Sequence, residues 1–233
     1  MEDLHFENKD SLERYIKRLE FINSGSEGYC YKMPNKIVLK HLCGVAYEPK
    51  TKEELLQFKD IVIKNYIFAQ ALVYIKDEII GILMPFVVGR TLENGVYSIQ
   101  IKTLIKAFDD LVEVTKKLSS YGVNVFDVCD INMMYNRGKF YLIDTINYYK
   151  SDDKEELIFK ENMFRIFVNI YKELFTRKVI KFLKTIPETK NFEKDIDLMM
   201  NPSIIFQILQ TKLNEYFDCE IKTVAEASKK LKY

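Results

Sequence analysis

FDVCDINMMYNRGKFYLIDT, residues 126–145, holds the densest chemistry in the chain. Asp127 and Asn132 stand five residues apart in apolar surroundings, just after Gly122-Val123-Asn124-Val125. Two short strand signals follow, around Met133–Tyr135 and Phe140–Ile143, split by the turn Asn136-Arg137-Gly138. Asp144 closes the second, twelve residues after Asn132. Taken singly, either acid serves equally well as a turn or cap residue. Taken together, Asn132 and Asp144 are hard oxygen donors of the kind that share a magnesium ion with phosphates.

The flanks of this stretch are helical. Residues 100–119 place Leu104, Phe108, Leu111, Val114 and Leu118 on one stripe, and Tyr121-Gly122 stops the helix. From Ser151 onward the pattern is again helical, with Ser151 as N-cap of a helix starting near Asp152. Phe164, Phe167, Ile170 and Tyr171 are expected in its core-facing stripe. Residues 184–202 form a loop or short helix punctuated by Pro187 and Pro202.

The N-terminal third is written differently. LEFIN (19–23), YCYKM (29–33) and IVLKHL (37–42) are strand runs parted by Gly and Pro-Asn turns. Residues 51–65 predict an amphipathic helix through Leu55, Phe58 and Val62, and 10–20 a shorter one. FAQALVYI (68–75) and EIIGILMPFV (78–87) are two more strands around a Lys76–Glu78 turn. The order is three strands, one helix, two strands, with a seam in VVGRTL (87–92).

Two features of this third can meet an anion, and a third can hold the lysine among them. The turn Asn23–Gly28 carries Gly25 and Gly28, which let a backbone approach phosphate oxygens, although an ordinary hairpin needs no more. Lys40 ends an apolar strand, where an ammonium needs a partner unless the strand end is solvated. Glu53 and Glu54 open the helix, and Glu54 shares a face with Phe58 and Ile61, able to point at Lys40. Acids in a first helical turn also favour the macrodipole without any partner.

Composition narrows the function classes. Lys plus Arg is 35 against 34 Asp plus Glu, a net charge of +1 that speaks against nucleic-acid binding by bulk phosphate neutralisation. Four scattered cysteines and two histidines make neither a disulfide framework nor a soft-metal cluster, and they suit a reducing cytoplasm. The longest apolar run, Ile79–Gly89, is eleven residues broken by Pro85, far short of a membrane span. MEDLHFENKD is acidic and polar, unlike a secretory signal. A protein of the cytoplasm, engaging neither membrane nor nucleic acid, is the expectation.

A glycine turn, a strand lysine, a helix glutamate, D-x-x-x-x-N and a strand-end aspartate, in that order, are the parts of ATP phosphoryl transfer. Through GSEGYCYK, IVLK, ILMPFVVGRTL and FDVCDINMMYNRGKFYLIDT, the chain from Leu19 to Tyr149 resembles the protein kinase-like superfamily. Similar trimmed forms there include small-molecule phosphotransferases, the aminoglycoside type among them, and atypical bacterial kinases. The resemblance implies an α+β, two-lobed fold. Residues 1–88 would be a small five-stranded antiparallel lobe with one helix, and 89–233 a larger helical lobe. It implies ATP with magnesium or manganese as cofactors and a hydroxyl-bearing acceptor.

Residue by residue, Gly25 and Gly28 match the later glycines of the phosphate loop, with Asn23 where the first would stand. Lys40 matches the lysine on the α- and β-phosphates, and Glu54, or else Glu53, its helix partner. Met84 precedes the hinge, where Pro85, Phe86 and Val87 would offer backbone groups to adenine. Asp127 matches the catalytic aspartate, and Asn132 and Asp144 the metal ligands. Val125-Phe126 replaces His-Arg before Asp127, Thr145-Ile146 replaces Phe-Gly after Asp144, and no A-P-E follows. These departures weigh against a peptide substrate. They also keep two alternatives open: a pseudokinase that binds nucleotide or protein without turnover, and an unrelated α+β domain.

Overall fold

Short runs rich in Ile, Val, Leu and Tyr, parted by turn residues, build the N-terminal sheet. The structure, a computed structural model, describes residues 1–95 and 97–232. The chain is α+β and divides into two compact units, Met1–Val88 with Asp144–Ile146, and Gly89–Ile143 with Asn147–Tyr233. In the first unit β1 (Leu4–Phe6), α1 (Lys9–Ile16), β2 (Glu20–Gly25), β3 (Gly28–Met33) and β4 (Ile37–His41) come first. α2 (Lys52–Leu56), β5 (Ala71–Ile75) and β6 (Glu78–Pro85) follow. The sheet runs β1-β5-β6-β4-β3-β2. β2 to β6 pair antiparallel throughout, in the expected order of three strands, one helix and two strands.

The sheet has six strands rather than the five expected, and it is not wholly antiparallel, because β1 pairs parallel with β5 through Leu4↔Val73 and Phe6↔Ile75. The apolar pair Leu4 and Phe6 is too short an alternation to announce a strand. The helix expected over 51–65 also shrinks to α2. Leu55 and Phe58 are buried as its stripe requires, but Val62 is exposed, and Ile63, Ile67 and Phe68 are buried from irregular chain. The β-branched run Ile61-Val62-Ile63, beyond the turn at residues 57–60, disfavours helix in the rest of that stretch.

Register decides where Lys40 goes. Leu39, Ala71, Val73 and Leu83 share a core with Leu12 of α1. Asn8 starts α1 with a capping box: its Oδ1 accepts the Ser11 N–H at 2.9 Å, and Ser11 Oγ accepts the Asn8 N–H at 3.3 Å. Lys40 is one residue beyond Leu39 and so faces the other side, in a cross-strand row with Cys30 and Ile82.

The second unit is mostly helical. It contains β7 (Arg90–Thr91), α3 (Ile101–Ser120), β8 (Val123–Asn124), β9 (Met133–Asn136), β10 (Lys139–Leu142) and β11 (Tyr149–Lys150). Then come α4 (Glu155–Leu174), α5 (Arg177–Leu183), α6 (Ile196–Met200), α7 (Pro202–Phe217) and α8 (Val224–Lys230). The β9–β10 hairpin is joined by β7 in a three-stranded sheet, and β8 pairs with β11. Phe108 of α3 packs on Phe140 of β10 and stacks on Phe206 of α7. Along α4, Phe167 and Ile170 are buried, but Phe164 is exposed and Tyr171 half-buried, so the expected stripe is narrower. Ser151 does not cap α4: that helix begins at Glu155, and Ser151 Oγ donates to the Asp153 carboxylate at 2.6 Å. Among the described residues no helix is long and apolar enough to cross a membrane.

α4 also fixes the approach to Asp127. Asn162, fully buried, accepts the Val125 N–H at 2.8 Å and donates to Val123 O at 2.8 Å and Ser119 Oγ at 3.1 Å. Arg165 Nη1 donates to Val125 O at 2.7 Å. Both backbone groups of Val125, two residues before Asp127, are thus held by one helix. Asn162→Ala strands several buried polar groups and is expected to lower stability by about 3 kcal/mol. Urea unfolding checks this, and a loss under about 1 kcal/mol would contradict the clamp.

Candidate functional site

Within the first unit the site grows from Lys40. It lies on β4 between β3 and β6, and its side chain is 5% exposed. An ammonium there requires partners, and it has two. Glu27 Oε2 accepts from Lys40 Nζ at 2.6 Å, and Asp144 Oδ1 accepts from the same nitrogen. Burial alone would lower the Lys40 pKa, but the charge and hydrogen bond of Asp144, then those of Glu27, raise it above its ordinary value. Lys40 therefore stays charged. Thr145, buried beside Asp144, donates its hydroxyl to Ile67 O at 2.8 Å and pins the segment.

The glycines of the Asn23–Gly28 turn differ. A Cβ on Gly28 would come within 1.9 Å of the His41 carbonyl oxygen, so glycine is required where the hairpin crosses β4. A Cβ on Gly25 would meet nothing within 4 Å, so no steric need explains it. Glu54 does not reach Lys40. Its carboxylate accepts the Thr51 N–H at 2.7 Å, while Thr51 Oγ1 accepts the Glu54 N–H at 3.2 Å. This capping box starts α2 and leaves Glu54 at the surface; Glu53 is exposed beside it. The residue that sequence reasoning missed is Glu27, whose signal is an acid inside the glycine turn of the hairpin that leads into the lysine strand.

At the end of β6, Met84 is buried opposite Val38. The Phe86 N–H is not open to a ligand, since it donates to Lys36 O at 2.8 Å. The Phe86 ring lies 5.2 Å from Lys32 Nζ, and Val87, beyond the last residue of β6, is half-buried.

Within the second unit Asp127 and Asn132 come together. Asn132 Nδ2 donates to Asp127 O at 3.0 Å and to Asp127 Oδ2 at 3.4 Å. Val125 and Val128 are buried on either side, while Asp127 is exposed. The Ile143 N–H donates to Asn132 O at 2.9 Å, tying the loop to the strand that leads to Asp144. Asp127 has φ 52° and Asp144 φ 57°, in the left-handed region. Asn35, Lys36, Lys76 and Arg137 take such angles in turns between strands and Asp218 at a helix C-cap, but Asp127 and Asp144 stand at neither. Non-glycine residues held there gather at functional sites.

Asn132 turns its amide nitrogen to Asp127, so its Oδ1 is directed elsewhere, and Asp144 offers a half-buried carboxylate. Each, within its own unit, is an oxygen donor of the kind a hard dication takes. Among the described residues no cluster of three or more His, Cys, Asp or Glu could hold a metal ion by itself. No family model matches the chain, and no curated protein matches it.

Cys30 faces Lys40 across the β3–β4 pair. Burial pushes its thiol up to about 11, against the lowering effect of Lys40 and with a further rise from Asp144. At pH 8 iodoacetamide is expected to consume exposed Cys219 while Cys30 stays unmodified, as read by peptide mass spectrometry. Equal labelling of the two would contradict the buried face.

Proposed function

We propose that the chain is a magnesium-dependent ATP phosphotransferase with a two-lobed, protein kinase-like fold, passing the γ-phosphoryl group to a hydroxyl acceptor. The observation that carries this is the ion pair of buried Lys40 with Asp144, 104 residues further along the chain. A charged ammonium fixed on one sheet face, beside a carboxylate suited to a dication, is what a polyphosphate ligand requires. The paired Asp127 and Asn132, the strained backbone at both aspartates, and the strand–helix–strand order add support. Four free cysteines fit a cytoplasmic setting.

The chemistry is mainly positioning and electrostatics. Lys40 holds phosphate oxygens as a point charge. Asn132 and Asp144 would hold the magnesium, which supplies neutralising charge to the phosphates when bound. Asp127 orients the acceptor hydroxyl and takes its proton as oxygen bonds to the γ-phosphorus and ADP leaves.

Two variants test this. Asp127→Ala should keep its affinity for magnesium–ATP within about twofold and lose turnover by a factor on the order of 10². Calorimetry and phosphate release with a panel of acceptors measure the two quantities. If parent and variant bind ATP but neither transfers phosphate to any acceptor or to water, the chain is a nucleotide-binding module. Asp144→Asn should fold, by circular dichroism, yet lose magnesium-dependent nucleotide binding, because an amide is a poorer ligand for a hard dication. Unchanged magnesium dependence would contradict the metal role of Asp144.

A further inference from the structure

The glycine turn does more than leave room for a ligand. Ser26 and Glu27 form the two-residue link between Gly25 and Gly28, which pair across the hairpin. Such a link is ordinarily a solvated tip. Here the chain after β4 pins it: Gly44 N–H donates to Glu27 O at 2.9 Å, and Ala46 N–H donates to Ser26 O at 3.0 Å. The contact is so close that a Cβ on Gly44 would lie 2.1 Å from Ser26 O and 2.5 Å from the Glu27 carbonyl carbon. With its backbone pinned, Glu27 sends its carboxylate back under the turn to Lys40, where its side chain is 17% exposed.

We propose that Glu27 is the positioning residue for Lys40, holding the ammonium from within the phosphate turn. This inference rests on the phosphotransferase reading above. Two facts lead to it. Glu54, on the helix, is committed to its cap. Glu27 and Asp144 both pair with Lys40, and Asp144 is the one proposed above to hold a metal. When Asp144 turns to a dication, Lys40 needs another carboxylate to stay charged and fixed in a buried place. Glu27 is that carboxylate. Without it the ammonium goes wholly to Asp144 and competes for the oxygens the metal requires. Lys40, Glu27 and Asp144 together carry one net negative charge, so the site is suited to phosphates accompanied by a cation and not to bare phosphates.

The test is calorimetric titration with a non-hydrolysable ATP analogue and magnesium, on the parent, Glu27→Ala, Glu27→Gln, Lys40→Ala and the Glu27→Ala/Lys40→Ala double variant. Thermal melting accompanies each titration. Glu27→Ala should weaken binding on the order of tenfold, as expected when a hydrogen bond to a charged group is lost. The double variant should bind within about twofold of Lys40→Ala alone, because Glu27 acts through Lys40. Additive losses would mean a role independent of Lys40 and would overturn the proposal. Binding by Glu27→Ala that is unchanged or tighter would also overturn it, the latter making Glu27 a latch against nucleotide. Should Glu27→Ala fail to fold, Glu27→Gln, which keeps an acceptor without the charge, gives the same comparison. A parent that binds no magnesium–nucleotide refutes the phosphotransferase reading, and the Glu27 role falls with it. A parent that binds while Glu27→Ala binds equally well refutes the Glu27 role alone.

Discussion

A charged lysine nitrogen inside a sheet is the constraint around which the first unit is arranged. Lys40 cannot shed its charge cheaply and cannot reach water, so carboxylates must come to it. One comes from the tightest turn of the hairpin beside it, the other from a segment more than a hundred residues away in sequence. Both arrivals need backbone support. Gly44 and Ala46 bind the carbonyls of the turn, and Thr145 fastens the Asp144 segment to Ile67. Neither support is catalytic chemistry, yet each follows from where Lys40 lies.

The second unit handles Asp127 in a comparable way. A loop that presents an exposed acid at a left-handed angle is strained unless its flanks are held. Buried Val125 and Val128 anchor it, α4 satisfies both backbone groups of Val125, and Asn132 braces the acid itself. The polar side chains of α4 that do this, Asn162 and Arg165, lie on a helix whose sequence pattern announces only packing. Their value is positional: they turn a flexible connection into a platform.

Much of the fold was legible because period and punctuation agreed. The antiparallel strands β2 to β6 and the β9–β10 hairpin are short apolar and aromatic runs next to clear turn residues, and α3 carries helical spacing. What was not legible has local causes. β1 is three residues long and draws its stability from a parallel neighbour remote in sequence. α2 ends at Leu56 in a turn over residues 57–60, although the apolar spacing continues, and a β-branched run lies beyond that turn. Asp127 and Asn132 are hydrogen-bonded within one loop, and Lys40 meets Asp144. Glu54 stays at the surface because Thr51-x-x-Glu54 is itself a capping-box pattern that competes with any reach toward Lys40. Glu27 was hidden because acids in two-residue turns usually face water, and only the pinning by residues 44 and 46 turns this one inward.

The central claim is that this charge arrangement receives a nucleotide together with a dication. The most direct measurement is the thermal unfolding of the unmodified chain with ATP, in the presence and absence of magnesium. The account predicts a stabilisation that saturates, of about 2.7 kcal/mol at one hundred times the dissociation constant, and only when magnesium is present. An unfolding transition that millimolar ATP and magnesium leave unmoved would contradict it.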